Sequence, residues 1–526
     1  MKVIITTSGT GSRLDKITKY TNKSLVKIGD KLSIDYIINN YKNYEDVEFI
    51  ITIGYYGNLV KQYIEIAYKD KIKYRFVEID NYDKIGSSLL YSLSKTQEFI
   101  QEPFIFHCCD TIITDSVINI SDIESNILYV NDNNNSNQYA TINVLDREVL
   151  KINEKGEKIF DYIYIGLAYI KDYKFFWDKV NELLENQKNN SGLSDIHVYK
   201  AMIKNNIKIN YEEIKNYYDI GNINSFDLAN RNIKKNYNVI DKLTESISFL
   251  DDKVIKFFHD SNKNKKYVNR MNFIGVENIP RIYGYTDNFI SMELINSKPL
   301  SEIYEYGLIK KLLDWTNINL WQNKLDIEID NFRDTCYNFY YNKTVDRIKL
   351  FLERKNNIDF EIINNIKIKP IYELLKDIDF NELCDSNPGR YHGDFILDNI
   401  LIKDGNFILI DWREDFGGCI EYGDMYYDLA KLKHNIYFNH KNILLNLFEI
   451  NIKNKSECSL DMKCNYILIK QLQDFERFVK ENNLNLRKIN IIQSLIWINM
   501  APLYDNPLAS FLFNIGKFSL FLELNK

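Results

Sequence analysis

Residues 391–412 constrain the fold of this 526-residue chain more than any other stretch. They read Tyr391-His392-Gly393-Asp394-Phe395-Ile396-Leu397-Asp398-Asn399, with a strand-forming run from Asn399 to Ile402. A turn at Lys403-Asp404-Gly405-Asn406 leads into a second run, Phe407 to Ile410, ending in Asp411 and Trp412. Asp-Gly between two apolar runs is a hairpin signal, and a hairpin here returns Asp411 to the side of Asn399. An Asp, an Asn and a second Asp in this order suit phosphoryl transfer from ATP. One carboxylate takes the proton of an attacking hydroxyl, while the Asn and the other carboxylate hold Mg²⁺ against the phosphates. Asp394, Asn399 and Asp411 fit those roles, with His392 and Gly393 shaping the loop.

The motif His-Gly-Asp, four residues, Asn, then Ile-Asp-Trp resembles the aminoglycoside phosphotransferase and choline kinase superfamily, which shares the protein-kinase-like fold. The resemblance implies Asp394 as catalytic base and Asn399 with Asp411 as Mg²⁺ ligands. Asp428, in Tyr426-Tyr427-Asp428-Leu429-Ala430-Lys431, matches an Asp that often follows the metal loop at the start of a helix. From the residues alone it reads as an N-terminal helix cap. Arg413 stands where choline kinases commonly carry an acidic residue, with Glu414 and Asp415 next along, a shift that weighs against choline itself.

The N-terminus opens on a strand-like Lys2–Thr6 and a loop, Ser8-Gly9-Thr10-Gly11-Ser12-Arg13, with Lys23 ten residues beyond Arg13. Glycines there let backbone N–H groups approach a triphosphate. Arg13 and Lys23 would neutralise the departing pyrophosphate. No Gly-Lys-Ser/Thr closes a P-loop, and no third glycine completes a dinucleotide motif. Strand-like Val47–Ile53 and Phe104–His107 alternate with helix-like runs, which predicts ligand groups at the carboxyl ends of a mainly parallel sheet. Asp110 ends such a strand, where a carboxylate suits Mg²⁺, and Asp219 offers a second.

Residues 1–228 resemble the sugar-phosphate nucleotidyltransferases, and within them the phosphocholine cytidylyltransferases of bacterial surface-glycan pathways. The likeness rests on Gly9 to Arg13, Lys23-Ser24-Leu25, Asp110, Glu154-Lys155, Gly166 and Asp219-Ile220-Gly221. It implies that Asp110 and Asp219 bind metal and that Arg13 and Lys23 bind the triphosphate beside Gly9, Gly11 and Ser12. Gly86 and Ser87 would lie near the base, and Glu154 and Lys155 would approach the acceptor phosphate. Thr6-Thr7-Ser8 stands where the family usually has Leu-Ala-Ala, and Asn22 stands for the usual Pro.

Residues 229–298 follow the pattern of a kinase-like N-lobe. Ile247–Leu250, a turn at Asp251-Asp252, and Val254–Phe258 form a hairpin with Lys256 facing inward, as a lysine that pairs with phosphates would. Phe289–Ile295, with Glu293, reads as the strand entering the hinge that holds adenine. Residues 299–526 are helical in period and build the C-lobe with its catalytic and metal loops. Trp315, Trp321, Trp412 and Trp497 could cage a quaternary ammonium, although aromatic side chains in helices are more often core. The expected fold class is therefore α/β. A Rossmann-like nucleotidyltransferase, with a mixed, mainly parallel sheet and helices on both faces, precedes a bilobal protein-kinase-like α+β domain.

A net charge of −6 argues against a basic nucleic-acid binder, so small molecules are the expected partners, with homo-oligomers left open. Seven scattered cysteines lack zinc spacing and suit a reducing cytoplasm. No signal peptide is read at the N-terminus. The apolar stretch from Ile491 to Leu524 is broken by Pro502, Asp505 and Pro507, as buried helices are and a membrane span is not. These readings anticipate a bifunctional cytoplasmic enzyme using ATP, CTP and Mg²⁺ at two sites. A kinase would phosphorylate choline, another amino alcohol or a polyol. A cytidylyltransferase would convert the phosphomonoester to a CDP-linked precursor for capsule or lipopolysaccharide. The alternative is a sugar kinase feeding a sugar-1-phosphate nucleotidyltransferase.

Overall fold

In a computed structural model of the chain, the described residues are 1–84, 86–114, 123–133, 135–186, 192–237, 239, 242–303, 305–321 and 327–526. They form two compact units, residues 1–261 with 282–293, and residues 262–281 with 294–526.

The first unit is built on a nine-stranded sheet. In chain order its strands are Lys2–Thr6 (β1), Glu48–Ile53 (β2), Lys73–Glu78 (β3), Phe104–Cys108 (β4) and Asn126–Asn131 (β5). Thr141–Leu145 (β6), Glu148–Asn153 (β7), Tyr162–Ile170 (β8) and Ile209–Glu213 (β9) complete it. Strands β3, β2, β1 and β4 are parallel neighbours, the half expected from alternating strands and helices. Beyond β4 the order continues β8, β5, β9, β7, β6, where β5–β9 is parallel and the other pairings are antiparallel. Helices Ser33–Tyr41 (α1) and Gly57–Tyr68 (α2) cover one face, and Leu89–Ser94 (α3) with Asp195–Lys204 (α4) cover the other. Val3 and Ile5 enter the first core and Ile4 the second, so the unbroken apolar run of β1 is that of a strand buried on both faces. Helix Ile223–Asn232 (α5) follows, its first turn capped by Asn222, which accepts from the Ser225 N–H.

A second, four-stranded antiparallel sheet lies in the same unit: Glu245–Leu250 (β10), Lys253–Phe258 (β11), Ile282–Tyr285 (β12) and Phe289–Glu293 (β13), ordered β10-β11-β13-β12. Its Leu250, Ile255, Phe257 and Phe289 share a core with α1 and α2. Gln62 on α2 exchanges two hydrogen bonds with Asn288, of 3.1 and 2.9 Å. The Tyr63 and Phe289 rings stand 5.7 Å apart, and the Phe249 N–H donates to the Asp30 carbonyl at 2.8 Å. The strands read as a kinase-like N-lobe thus pack on the helices of the first sheet.

The second unit is mostly helical, with Lys343–Leu352 (α6), Met425–Tyr437 (α7), Leu486–Met500 (α8) and Leu508–Leu524 (α9) among its helices. Gly516 lets α9 approach α8 closely, since a Cβ there would lie 2.8 Å from the Ser494 carbonyl oxygen. The expected hairpin forms from Ile400–Lys403 (β14) and Asn406–Leu409 (β15), with Ile400 opposite Leu409. Asp404 and Gly405 take positive φ at its turn, 51° and 80°, as a two-residue hairpin loop requires. Among the described residues no helix is long and apolar enough to cross a membrane.

Candidate functional sites

Beyond β1 the chain turns at Gly11, where φ is 65° and a Cβ would lie 3.0 Å from Thr18 Cγ2 and 3.2 Å from Lys23 Cβ. Gly9, Ser12 and Arg13 are exposed on this loop. Ser12 lines a pocket of about 410 Å³ with Thr10, Lys16 and Tyr55, but Asp110 and Asp219 do not reach it. Buried Asn22 fixes the turn that carries Lys23. Its Nδ2 donates to the carbonyls of Thr7 at 2.8 Å and Tyr55 at 2.6 Å, while its Oδ1 accepts from the Ser24 N–H. That aims Lys23 at Asp110, two residues past β4, with Nζ 2.5 Å from Oδ2.

Asp219 enters from a two-stranded ribbon in which it stands opposite Thr111. The Ile220 N–H donates to the Asp110 carbonyl, the Gly221 N–H to Asp219 Oδ1 and the Tyr139 hydroxyl to Asp219 Oδ2. A Cβ on Gly221 would lie 2.9 Å from Asp219 Oδ1 and 3.5 Å from Asp110 Oδ2, so both carboxylates converge on one point. Burial works against the Asp110 charge, but Lys23, with Arg13 further off, holds its carboxyl below the usual range. Asp219 is pushed up by burial and then by Asp110. A divalent cation shared by the pair would remove that repulsion. Among the described residues no three His, Cys, Asp or Glu side chains cluster as a metal cage. Two carboxylates completed by phosphate oxygens are what Mg²⁺ uses beside a nucleotide.

The other expected residues of this unit stand apart. Gly86 has a φ of 91°, and the Ser87 hydroxyl donates to the Tyr82 carbonyl at 3.0 Å within its own turn. Glu154 is ion-paired with Lys200 on α4, and Lys155 is exposed beside it. Lys256 is buried on β11 between Ile247 and Ile290, its Nζ 4.8 Å from the Phe258 ring centre. Glu293 ends β13 opposite Lys253.

In the second unit, buried His392 is neutral by its bonds. Its Nδ1 accepts from the Asp394 N–H at 3.1 Å, its Nε2 donates to the Ile410 carbonyl at 3.0 Å, and burial lowers it to about 4. Gly393 must lack a side chain: φ is 86°, and a Cβ would lie 2.6 Å from Arg413 Cβ. Asn399 Nδ2 donates to the Asp394 carbonyl and to Asp394 Oδ2, at 2.9 and 3.1 Å, which leaves its Oδ1 as the ligand atom. The Ile410 N–H donates to the Asn399 carbonyl, which sets Asp411, at φ 55°, next to Asn399 as the hairpin predicts. Asn399 and Asp411 are the residues that would hold a metal here.

Asp428 is not the helix cap. Asp424 caps α7 by accepting from the Tyr426 N–H. Asp428, one turn inside, accepts from the His392 and Gly393 N–H groups at 2.7 Å each and from Trp321 Nε1 at 3.0 Å. It braces the loop carrying Asp394, and burial pushes its carboxyl up to about 6. Among the described residues the four tryptophans named for a cage are otherwise engaged, Trp315 with the Phe407 ring at 5.5 Å. Trp321 serves Asp428, Trp412 stacks on Tyr267 and donates to its carbonyl, and Trp497 is buried in α8.

Three residues were not anticipated in these roles. Lys431 Nζ lies 2.7 Å from Asp394 Oδ1. Its signal was a lysine inside the buried run of α7, three residues after Asp428 and so on the same face. Asn22 was visible only as a departure from Pro. Arg270, wholly buried, donates to the carbonyls of Tyr391 and Arg413, and nothing in its local sequence marks it.

Fold and geometry bring the candidate residues together at two places, one on an α/β sheet and one on a helical unit with a His-Gly-Asp loop. A nucleotidyl transferase family model matches residues 2–236, and a phosphotransferase enzyme family model matches residues 369–445. The chain therefore carries a nucleotidyl transferase family region followed by a phosphotransferase family region. The "Probable glucose-1-phosphate cytidylyltransferase" of Bacillus subtilis is 36% identical over 63 residues, 12% of this chain and 25% of that protein. The match thus spans a quarter of that relative's length. Among solved structures, CTP:phosphocholine cytidylyltransferase from Streptococcus pneumoniae is 20% identical, covering 44% of this chain and 97% of its own, with a TM-score of 0.38. The inositol-1-phosphate CTP transferase from T. maritima is 17% identical over 43% of this chain and 94% of its own, with a TM-score of 0.35.

Proposed function

We propose that the chain makes an activated nucleotide conjugate in two steps, each in its own unit. The phosphotransferase unit moves the γ-phosphoryl group of ATP to the hydroxyl of a small molecule. The nucleotidyl transferase unit then joins that phosphate to the α-phosphorus of CTP and releases pyrophosphate. One observation carries this reading: each unit holds a carboxylate gripped by a buried lysine, Asp110 by Lys23 and Asp394 by Lys431.

In the first step Asp394, kept ionised beside Lys431, accepts the hydroxyl proton as the new P–O bond forms. His392, Asp428 and Arg270 hold its loop rigid, so the catalytic gain is mainly orientation. In the second step Lys23 and Arg13 stabilise charge on the leaving pyrophosphate, with the Gly9–Gly11–Ser12 loop supplying backbone donors. Mg²⁺ at Asp110 with Asp219, and at Asn399 with Asp411, would supply further charge neutralisation. Glu154 and Lys155 remain the proposed approach for the acceptor phosphate and Gly86 and Ser87 for the base, whereas Lys256 and Glu293, expected at ATP, belong to the first unit and are left out of the phosphoryl-transfer step.

CTP as the second nucleotide is supported by the likeness to cytidylyltransferases, the name of the Bacillus subtilis relative among them. Choline, another amino alcohol or a polyol are the acceptors this family pattern suggests. Capsule or lipopolysaccharide decoration in the cytoplasm is the corresponding role. A sugar kinase paired with a sugar-1-phosphate nucleotidyltransferase is the second reading, favoured by the same relative's name.

Asp394→Asn is expected to abolish acceptor-dependent ADP release while pyrophosphate release from CTP and a pre-phosphorylated acceptor continues. Asp110→Ala is expected to do the reverse. Loss of both activities from either change in a folded protein would refute two independent sites.

A further inference from the structure

Helix α6 sets Lys343 and Arg347 one turn apart, and Arg413 meets them from the loop after Asp411 and Trp412. The Phe339 ring marks the meeting point, with Lys343 Nζ 4.0 Å and the Arg413 guanidinium carbon 5.2 Å from its centre. Like charges at this helical spacing repel. Burial, then Arg413, Arg347 and Lys431, pull the Lys343 ammonium well below the usual lysine range. Burial and Arg413 lower Arg347 in the same way. Of the anions in reach, Asp394 is paired with Lys431 at 2.7 Å, and Glu414 is shared between Arg413 and Lys263, the latter at 3.5 Å. Among the described residues, Lys343, Arg347 and Arg413 have no carboxylate within ion-pair distance.

Arg413 is partly met by Glu414 and Asp394, whereas among the described residues the half-buried Lys343 and Arg347 have no ion-pair partner, a cost in free energy that a bound anion would return. The Phe339 ring face offsets only part of that cost. The Arg413 N–H donates to the His392 carbonyl at 3.0 Å, which seats Arg413 against the loop carrying Asp394. The cluster therefore flanks the group that receives the hydroxyl proton.

We propose that the alcohol phosphorylated at Asp394 is itself an anion, whose carboxylate or phosphate is bound by Lys343, Arg347 and Arg413. This rests on the kinase reading above and narrows it. Choline or a protonated amino alcohol would meet like charge, which explains Arg413 where a choline kinase carries an acid. In the step itself, the hydroxyl oxygen bonds to the γ-phosphorus and the bond from that phosphorus to the bridging oxygen breaks. The proton passes to Asp394, ADP leaves, and the product keeps its original anionic group beside the new phosphate.

The test uses the full chain with ATP and Mg²⁺, reading ADP release. A small-molecule cell extract is passed over anion-exchange resin at neutral pH. The acceptor is expected in the retained fraction, and acceptor activity confined to the flow-through would overturn the proposal while leaving the kinase reading intact. Choline, glycerol, glycerate and glycerol 3-phosphate are compared directly, the last two separating carboxylate from phosphate recognition. Choline or glycerol as the best substrate would likewise overturn it. Lys343→Met and Arg347→Met are expected to raise KM for the retained acceptor by about 30-fold each and to change KM for ATP by less than about twofold. A rise in KM for ATP instead would assign the cluster to the nucleotide and sink the proposal. ADP release that survives Asp394→Asn would remove the kinase reading, and the proposal with it.

Discussion

If Asp394 is the base of the proposed phosphoryl transfer, Lys431 sets the pH range in which it can accept a proton. Burial alone would raise that carboxyl, but Lys431, at 2.7 Å, and then His392 and Arg413 hold it well below the usual carboxylate range. Lys431→Met removes the cation and leaves the burial, so the Asp394 pKa rises. More of the base is then protonated at any given acidic pH, and the acid limb of kcat/KM for phosphoryl transfer moves upward. Lys431→Arg keeps the charge and should keep the limb in place. A lysine that only packed would alter the melting temperature and leave the limb unmoved, so the pH profile separates the two roles. Asn22 has the corresponding position in the other unit, acting through Lys23. Its backbone already has φ −75° and ψ 149°, which a proline could adopt, so the departure from Pro concerns the side chain. Asn22→Ala uncaps the turn that aims Lys23 and leaves the Thr7 and Tyr55 carbonyls without a donor, at a cost of about 2–4 kcal/mol. Nucleotidyl transfer is expected to fall at least about tenfold while phosphoryl transfer by the same chain is unchanged, with Asn22→Pro milder because it keeps the turn. Equal loss of both activities would indicate general unfolding instead.

The elements that the sequence revealed are those whose signals are local. Asp404-Gly405 between two apolar runs identified β14 and β15, and with them the return of Asp411 to Asn399. The apolar run of β1 followed by Gly9 and Gly11 identified a strand feeding a glycine turn, with Gly11 at φ 65°. What stayed hidden depends on partners far along the chain. A strand such as β13 shows by its alternation that one face is buried, but nothing in Phe289-Ile290-Ser291-Met292 tells whose core receives it. Asp428, near the start of a helix, looks like a cap until the His392 and Gly393 N–H groups are seen on its two oxygens. Lys343 and Arg347 look like a solvated helix face, because helical spacing does not show that Arg413 converges on them from 66 residues beyond Arg347. Charges were therefore the least legible part of both sites, since their meaning lies in which other charges share the space.

At the scale of the whole molecule, the chain leaves its first unit after residue 261, re-enters it for residues 282–293 and leaves it again. Strands β12 and β13 therefore belong to the unit of the nucleotidyl transferase sheet although the stretches on either side of them belong to the other. The consequence is thermodynamic. Phe289 is 2% exposed and shares its core with Leu59, Val60 and Tyr63 of α2, so part of what stabilises the nucleotidyl transferase lies beyond residue 236, where its family match ends. Truncating a buried phenylalanine to alanine costs about 3–5 kcal/mol through lost transfer energy and the cavity left behind. In the full chain, Phe289→Ala is expected to lower the midpoint for heat inactivation of pyrophosphate release by about 5–10 °C. Heating the protein in steps and assaying each reaction separately checks this, with acceptor-dependent ADP release as the internal comparison. A midpoint for pyrophosphate release that stays at the wild-type value would mean that the strands around Phe289 lend no stability to the first sheet. A fall in that midpoint would make strands β10 to β13 part of the minimal nucleotidyl transferase, because a chain cut at 236 would expose the apolar side of α2 to water.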